Sequence, residues 1–149
     1  MSTYKLSNKS LNTLNGVNDK LVSVVKLAIT KTSIDFRVGE GLRTKQRQLE
    51  LFKAGKSQTL NSKHITGHAV DLIALKNNKV SWDMDDYVQI AEAVRLAAIE
   101  LNVPVCWGGC WIGTLNSYPS AKEAMDAYIK HNKKLKKSVF LDGPHFELV

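Results

Sequence analysis

A loop that runs directly into an apolar strand constrains this chain more than any other part of its sequence. The loop contains His64 and His68, and the strand that follows includes Asp71 within the apolar run 69–75. Gly67 allows a sharp turn, β-branched Thr66 disfavours a helix, and a short apolar run of this kind is typical of a buried strand. The stretch is therefore predicted to bring imidazoles and a carboxylate together where a loop enters a sheet.

The four-residue spacing of His64 and His68 has two interpretations. The same spacing occurs in helical H-E-x-x-H zinc motifs, but here Ile65 follows the first histidine and the local sequence does not favour a helix. We therefore expect the imidazole of His64 to meet the carboxylate of Asp71. His68 is not predicted to be a metal ligand, although it could flank the cleft or orient a ligand.

A second stretch, residues 142–148, supplies another imidazole and another carboxylate just before a terminal strand. His145 would complete a set of two imidazoles and one carboxylate, which suits Zn²⁺ and leaves a fourth position for water. Without His145, a structural polar pair of His64 and Asp71 would be an equally good interpretation. Asp142 could serve as a general base and then a general acid, although an Asp-Gly pair is also a common turn.

Ordered motifs along most of the chain resemble the D-Ala-D-Ala metallopeptidase family of the VanX/VanY type. The motifs are Ser62-x-His-x-x-Gly-x-Ala-x-Asp, the late Asp142-x-x-His-Phe-Glu, Glu-Gly-Leu-Arg-Thr at 40–44, the Gln-x-x-Leu-Phe stretch from Gln48, and Trp-Gly-Gly at 107–109. The chain looks closest to the L-alanyl-D-glutamate endopeptidases that phages use as endolysins. It departs from the pattern at Cys110, where similar family members often carry an aspartate.

The resemblance implies a role for each matching residue. Zinc would be held by His64, Asp71 and His145, and Asp142 would be the catalytic acidic residue. Arg43 would hold a substrate carboxylate or stabilise an oxyanion, whereas the sequence alone favours a surface arginine. Ser62 would hydrogen-bond the substrate or shape the loop.

The expected activity is zinc-dependent hydrolysis of an amide bond in peptidoglycan stem peptides, with the L-alanyl-D-glutamate bond preferred by resemblance. One alternative is a D-Ala-D-Ala carboxypeptidase with the same site, and another is an inactive, zinc-dependent peptidoglycan-binding module. The net charge of +7, with six lysines between residues 122 and 137, suits an anionic partner. A nucleic-acid partner is not predicted, because no known nucleic-acid-binding motif accompanies the charge.

Length and composition favour one domain. The 149 residues are 44% hydrophobic and show no linker, so residues 1–149 are expected to form a single catalytic domain without a separate wall-binding domain, acting as a monomer. No stretch is long enough to span a bilayer and the amino terminus does not resemble a signal peptide. We therefore expect synthesis in a host cytoplasm and action on peptidoglycan in the periplasm after release, with Cys106 and Cys110 reduced.

Hydrophobic periodicity predicts helices and strands in an irregular order. Helical patterns cover parts of 11–29, 45–54, 84–101 and 121–136, and strand patterns cover 34–38, 69–75, 103–107 and the end of 139–148. Because helices and strands do not alternate regularly, an α+β fold is expected rather than a doubly wound sheet. The resemblance implies the same class, with a small central antiparallel sheet and surrounding helices as in the hedgehog/D-Ala-D-Ala-peptidase fold.

Overall fold

A computed structural model describes residues 3–57 and 59–149 of the chain. Over these residues the helices are α1 (Asn8–Thr13), α2 (Asp19–Lys31), α3 (Lys45–Lys53), α4 (Met84–Leu101) and α5 (Ala121–Lys134), with a short 3-10 helix at Leu115–Ser117. The strands are β1 (Asp35–Glu40), β2 (Ala69–Lys76), β3 (Lys79–Val80), β4 (Val105–Trp107) and β5 (His145–Leu148). None of the helices in this described part of the chain is both long and apolar enough to cross a bilayer.

The strands form one antiparallel sheet in the order β1-β2-β5-β4, and β3 pairs with β2 as a short hairpin. This architecture confirms the predicted α+β class with a small antiparallel sheet. The β2–β3 turn is made by Asn77 and Asn78, whose φ angles are both positive at 52° and 63°, a conformation that asparagine tolerates better than most residues. Pro104 immediately precedes β4, an edge strand, where its missing N–H removes no bond from the sheet interior.

The two faces of the sheet have different roles because side chains alternate along each strand. On β2, Val70, Leu72 and Ala74 are buried in the hydrophobic core together with side chains of α2 and α4. Asp71 and His145 are directly paired across β2 and β5 and therefore share the opposite face. The sheet thus rests on the core with one face and carries the polar residues on the other.

Trp107 joins the edge of the sheet to the turn that precedes β5. Its ring is fully buried and stacks on Phe146 with 6.4 Å between centroids. Its indole Nε1 donates a hydrogen bond to the carbonyl of Gly143 at 2.7 Å. Trp107 is therefore a core residue, and its hydrogen bond fixes the turn that contains Asp142.

Most predicted helix limits agree with the structure. The α4 bounds are those predicted, and Thr44 and Ser120 cap α3 and α5 through their side-chain oxygens. The first helical segment differs, because the chain turns at Gly16 with φ 85° and Asn18 caps a new helix. Helices α1 and α2 are therefore separate.

Candidate metal centre and active site

His64 is held in place by contacts with the Ser62 side chain and the Gly41 backbone. Its backbone N–H donates to Ser62 Oγ at 3.2 Å, and its Nδ1 lies 2.8 Å from the carbonyl oxygen of Gly41. A neutral imidazole that donates from Nδ1 to a carbonyl leaves its Nε2 as an acceptor. The ring is only 2% exposed, and Nε2 has no hydrogen-bond partner within the described part of the chain. An unpaired buried acceptor costs about 1–3 kcal/mol, and a bound cation would remove this cost.

Asp71 and His145 complete a compact group of three donor atoms with His64. Asp71 Oδ1 lies 3.3 Å from His64 Nε2 and 3.5 Å from His145 Nδ1, and the donor atoms of the three residues lie within 4.8 Å of one another. Ligands about 2.0–2.2 Å from a tetrahedral zinc ion are separated from each other by about 3.3–3.6 Å. The chemistry of the three residues and the two distances to Asp71 therefore fit a metal ion such as zinc.

Glu147 orients the His145 ring from behind. Glu147 Oε1 lies 2.7 Å from His145 Nε2, so that Nε2–H donates to the carboxylate and Nδ1 is left facing Asp71. Lys63 Nζ in turn lies 3.2 Å from Glu147 Oε2. A carboxylate behind a histidine fixes the tautomer of that histidine and strengthens it as a ligand. His145 and Glu147 are two residues apart on one strand and therefore share a face of the sheet, whereas no sequence pattern indicated Lys63.

The two carboxylates beside His145 favour its protonated form. Burial alone would lower the pKa of His145, but its hydrogen bonds with Asp71 and Glu147 outweigh burial and raise the pKa to about 9. Burial alone would raise the pKa of Asp71, but the hydrogen bond and charge of His145, with His64 acting in the same direction, hold the pKa well below its usual range. A divalent cation in this group would therefore replace a proton on His145.

Asp142 faces the same cleft from a turn that is anchored on both sides. The Asp142 N–H donates to the carbonyl oxygen of Gly108 at 2.8 Å, and the Gly108 N–H donates to the carbonyl oxygen of His145 at 2.8 Å. Over the described residues the Asp142 carboxylate makes no side-chain hydrogen bond and is half-buried. Burial, followed by the negative charge of Asp71, raises the pKa of Asp142, with His145 opposing the shift. Such a carboxylate is suited to both taking and returning a proton.

Arg43 is not the surface arginine that the sequence also allowed, because it is only 9% exposed. Its Nε and Nη2 bond both carboxylate oxygens of Glu40 at 2.6 and 2.8 Å, and Nη1 bonds Gln48 Oε1 at 2.6 Å. Nη2 also lies 3.8 Å from Asp71 Oδ2. The guanidinium is therefore a rigid positive charge beside the metal group, and its contact with substrate stays a prediction. No sequence pattern indicated that Glu40 would bind Arg43 through both carboxylate oxygens.

The site opens into a cleft of about 790 Å³ with a mixed lining. Trp111 lines the cleft and stacks on the His145 ring, with 5.5 Å between centroids. Trp111 was missed because it lies in an irregular loop without periodic signal. Ser62 also lines the cleft, but its contact with substrate stays a prediction. His68 lies outside the three-residue group, and its Nδ1 pairs with Thr66 Oγ1 at 2.7 Å.

The fold of this chain is similar to that of an endopeptidase of known structure. The L-Ala D-Glu endopeptidase ChiX of Serratia marcescens matches with a TM-score of 0.74 and 39% identity, and the match covers 99% of this chain and 92% of that chain. Together with the site, this match places the chain among the peptidases.

The particular family follows from the sequence comparisons. The family model for phage L-alanyl-D-glutamate peptidases matches residues 1–149, and the chain belongs to this family. The L-alanyl-D-glutamate peptidase of Escherichia phage T5 is 26% identical over 151 residues, covering 99% of each chain. The enzyme of the same description from Listeria phage A118 is 26% identical over 120 residues, covering 78% of this chain and 41% of that protein. The predicted family resemblance is thereby confirmed.

Proposed function

We propose that this protein is a zinc-dependent peptidase that hydrolyses the L-alanyl-D-glutamate bond of peptidoglycan stem peptides. One observation carries the proposal: the unpaired, buried His64 Nε2 faces Asp71 and His145 in a cleft that also contains the Asp142 carboxylate. The choice of bond is supported by the activity named for the two phage relatives and for the Serratia endopeptidase.

The metal would be held by His64 Nε2, Asp71 Oδ1 and His145 Nδ1. When bound, zinc supplies a Lewis acid that polarises the scissile carbonyl and makes water a nucleophile at neutral pH. Asp142 accepts a proton from the attacking water and returns it to the leaving nitrogen as the C–N bond breaks. The products are a new carboxylate on L-alanine and a new amine on D-glutamate.

Arg43 contributes a positive charge that needs no rearrangement during the reaction. Because Glu40 and Gln48 already hold the guanidinium, its charge is fixed near Asp71 before substrate arrives. In this proposal it stabilises the negative charge that develops on the carbonyl oxygen, or holds a carboxylate of the substrate. Ser62 lines the cleft and is assigned a contact with the peptide backbone.

The biological role that we propose is that of a phage endolysin. In this role the enzyme is made in the host cytoplasm, is released, and cuts peptidoglycan in the periplasm as a monomer with a single catalytic domain. The two phage relatives support the role. The net charge of +7 favours association with an anionic cell wall.

Digestion of purified sacculi with and without a chelator tests the activity. Mass spectrometry should detect new amino-terminal D-glutamate, and the product should disappear on chelation and return when zinc is added. Release of free D-alanine would instead identify a carboxypeptidase. Sacculi that sediment with the protein in a zinc-dependent manner, but are not cut, would identify a binding module.

The role of Asp142 is tested by Asp142→Asn, with Asp126→Asn as the matched control. Asp126 is an exposed carboxylate on α5 that pairs with Lys122 at 2.8 Å and does not line the cleft. Loss of the proton-transferring group should lower kcat by about 10²–10⁴-fold, while the zinc content stays at one ion per chain. Asp126→Asn should retain the wild-type rate. An Asp142→Asn protein of normal activity would remove the proposed base.

A further inference from the structure

Trp82 is the most exposed aromatic side chain that lines the cleft. Its side chain is 68% exposed, and its ring stacks on Tyr87 with 6.2 Å between centroids and 14° between planes. Tyr87 is itself buried, and its hydroxyl donates to the carbonyl oxygen of Ser81 at 2.7 Å and accepts from the N–H of Ala74 at 3.2 Å. One face of the indole is therefore supported by a fixed ring, while much of its surface remains open to solvent.

The same tyrosine connects Trp82 to the catalytic turn. A Cβ placed on Gly143 would lie 2.9 Å from Tyr87 Cβ, so Tyr87 packs directly against the residue that follows Asp142. The indole and the Asp142 carboxylate thus share one support and line one cleft. A ligand group that stacks on Trp82 would belong to the same molecule as the group being hydrolysed.

Charged and apolar side chains of the cleft come from different parts of the chain. The cations Arg43, Lys56 and Lys63 all lie between α3 and β2 or just before α3, whereas the aromatic lining residues are Trp82, Trp111 and Phe140. Lys56 is exposed and has no ion-pair partner over the described residues. Because Arg43 and Lys63 are already paired with Glu40 and Glu147, Lys56 is the cation left available to an anion, and the aromatic rings offer apolar surface to an uncharged group.

The proposed substrate also has a charged group on one side of the scissile bond and an uncharged group on the other. The D-glutamate residue carries a free carboxyl group next to the scissile bond. The L-alanine nitrogen is joined through a lactyl group to N-acetylmuramic acid, whose pyranose ring has an apolar C–H face. In its chemistry, Lys56 therefore suits the free carboxylate of D-glutamate, and the exposed ring of Trp82 suits the sugar.

We propose that Trp82 is a stacking platform for the N-acetylmuramic acid ring, so that the enzyme prefers stem peptides still attached to glycan. This inference rests on the proposed function. A ring that is already held by Tyr87 loses little conformational freedom when a ligand binds, so the apolar area that it buries contributes to affinity. Trp82 is then a specificity residue for the sugar side of the substrate.

Two substrates that differ only in the sugar test the inference. One is a stem peptide whose L-alanine is N-lactylated, and the other is the same peptide carrying N-acetylmuramic acid on L-alanine. The wild type should have the higher kcat/KM for the muramyl peptide. Trp82→Ala should reduce this preference by about three- to ten-fold, mainly through KM, and Trp82→Phe should keep part of it. Ile99→Ala, which removes another exposed apolar side chain outside the cleft, should leave the preference unchanged.

Three results would overturn the inference, and they are distinguishable. If the wild type cuts both substrates with equal kcat/KM, the site does not recognise the sugar although the proposed activity stands. If Trp82→Ala lowers kcat/KM for both substrates by the same factor, Trp82 supports the site but does not bind the sugar. If the wild type cuts neither substrate, the proposed function itself fails.

Discussion

Gly108 is predicted to control the active site without contributing a side chain to it. The residue follows β4, and its backbone bonds both ends of the turn that contains Asp142 and His145. A Cβ at this position would lie 2.0 Å from the carbonyl oxygen of Asp142 and 2.9 Å from Asp142 Cβ. Gly108→Ala therefore tests whether the position of this turn determines activity.

The size of the effect follows from these distances. Real Cβ atoms essentially never approach other heavy atoms to less than 3.0 Å, so Asp142 and Gly108 must separate by about 1 Å or more. A misplacement of about 1 Å in catalytic geometry can cost about 10²-fold in rate. The two strained hydrogen bonds, one from Asp142 N–H and one to the His145 carbonyl, contribute about 1 kcal/mol each. A loss of about 2 kcal/mol should lower Tm by roughly 4–8 °C.

The assay measures kcat at saturating zinc, zinc affinity by competition with a chelator, and Tm. Gly55→Ala is the control, because Gly55 ends α3 in open space but has φ 73°. That substitution strains the backbone by about 1–2 kcal/mol and should lower Tm without changing kcat. If Gly108→Ala is folded and keeps the wild-type kcat, the turn is not held by this contact and the reasoning is wrong.

Three further predictions concern the supports of the metal group. Glu147→Ala should weaken zinc binding by about 10–100-fold, measured by chelator competition, and Glu147→Gln should weaken it less because the amide oxygen can still accept from His145; unchanged affinity in both would exclude the orienting role. In the chelated protein, the pKa of His145 is raised from 6.5 to about 9, so its contribution to stability is full below pH 6.5 and is lost as pH rises towards 9. Urea unfolding of the metal-free protein across this range should show the decrease, whereas a flat profile would contradict it. Trp107→Phe leaves the buried Gly143 carbonyl without its donor and should cost about 1–3 kcal/mol in the free energy of unfolding, and a change below about 0.5 kcal/mol would show that the bond is unimportant.

Much of the site could be predicted because its chemistry lies in short, patterned segments. His64 and Asp71 are seven residues apart at a loop-to-strand transition, so local sequence alone suggested that they meet. His145 and Glu147 alternate on a strand, which predicts one shared face. Strong apolar periodicity likewise gave the bounds of α4, where nine of its residues are buried. In each case the determining interactions are local in sequence.

The parts that could not be predicted depend on contacts between distant or irregular segments. Sequence could not show that Glu40 and Gln48 enclose Arg43, because a charged side chain near a helix start is usually exposed. Trp111 reaches His145 from a loop whose shape no periodicity describes. Strand β3 has only two residues and forms because two asparagines adopt positive φ. A strand of two residues is too short to show a detectable pattern in the sequence.

Residues outside the site are expected to affect metal affinity and turnover as much as those inside it, because they position the site residues. Asp71 and His145 lie on paired strands whose other faces are packed into the core, so their positions are set by the sheet. His64 and Asp142 come from loops, and each is positioned by a hydrogen bond to the backbone of another segment, at Gly41 and Gly108 respectively. A rigid metal group combined with a loop-borne carboxylate means that metal affinity and turnover can be separated by mutation. Substitutions on the sheet should change both, whereas those that move only the Asp142 turn should change turnover more than metal affinity.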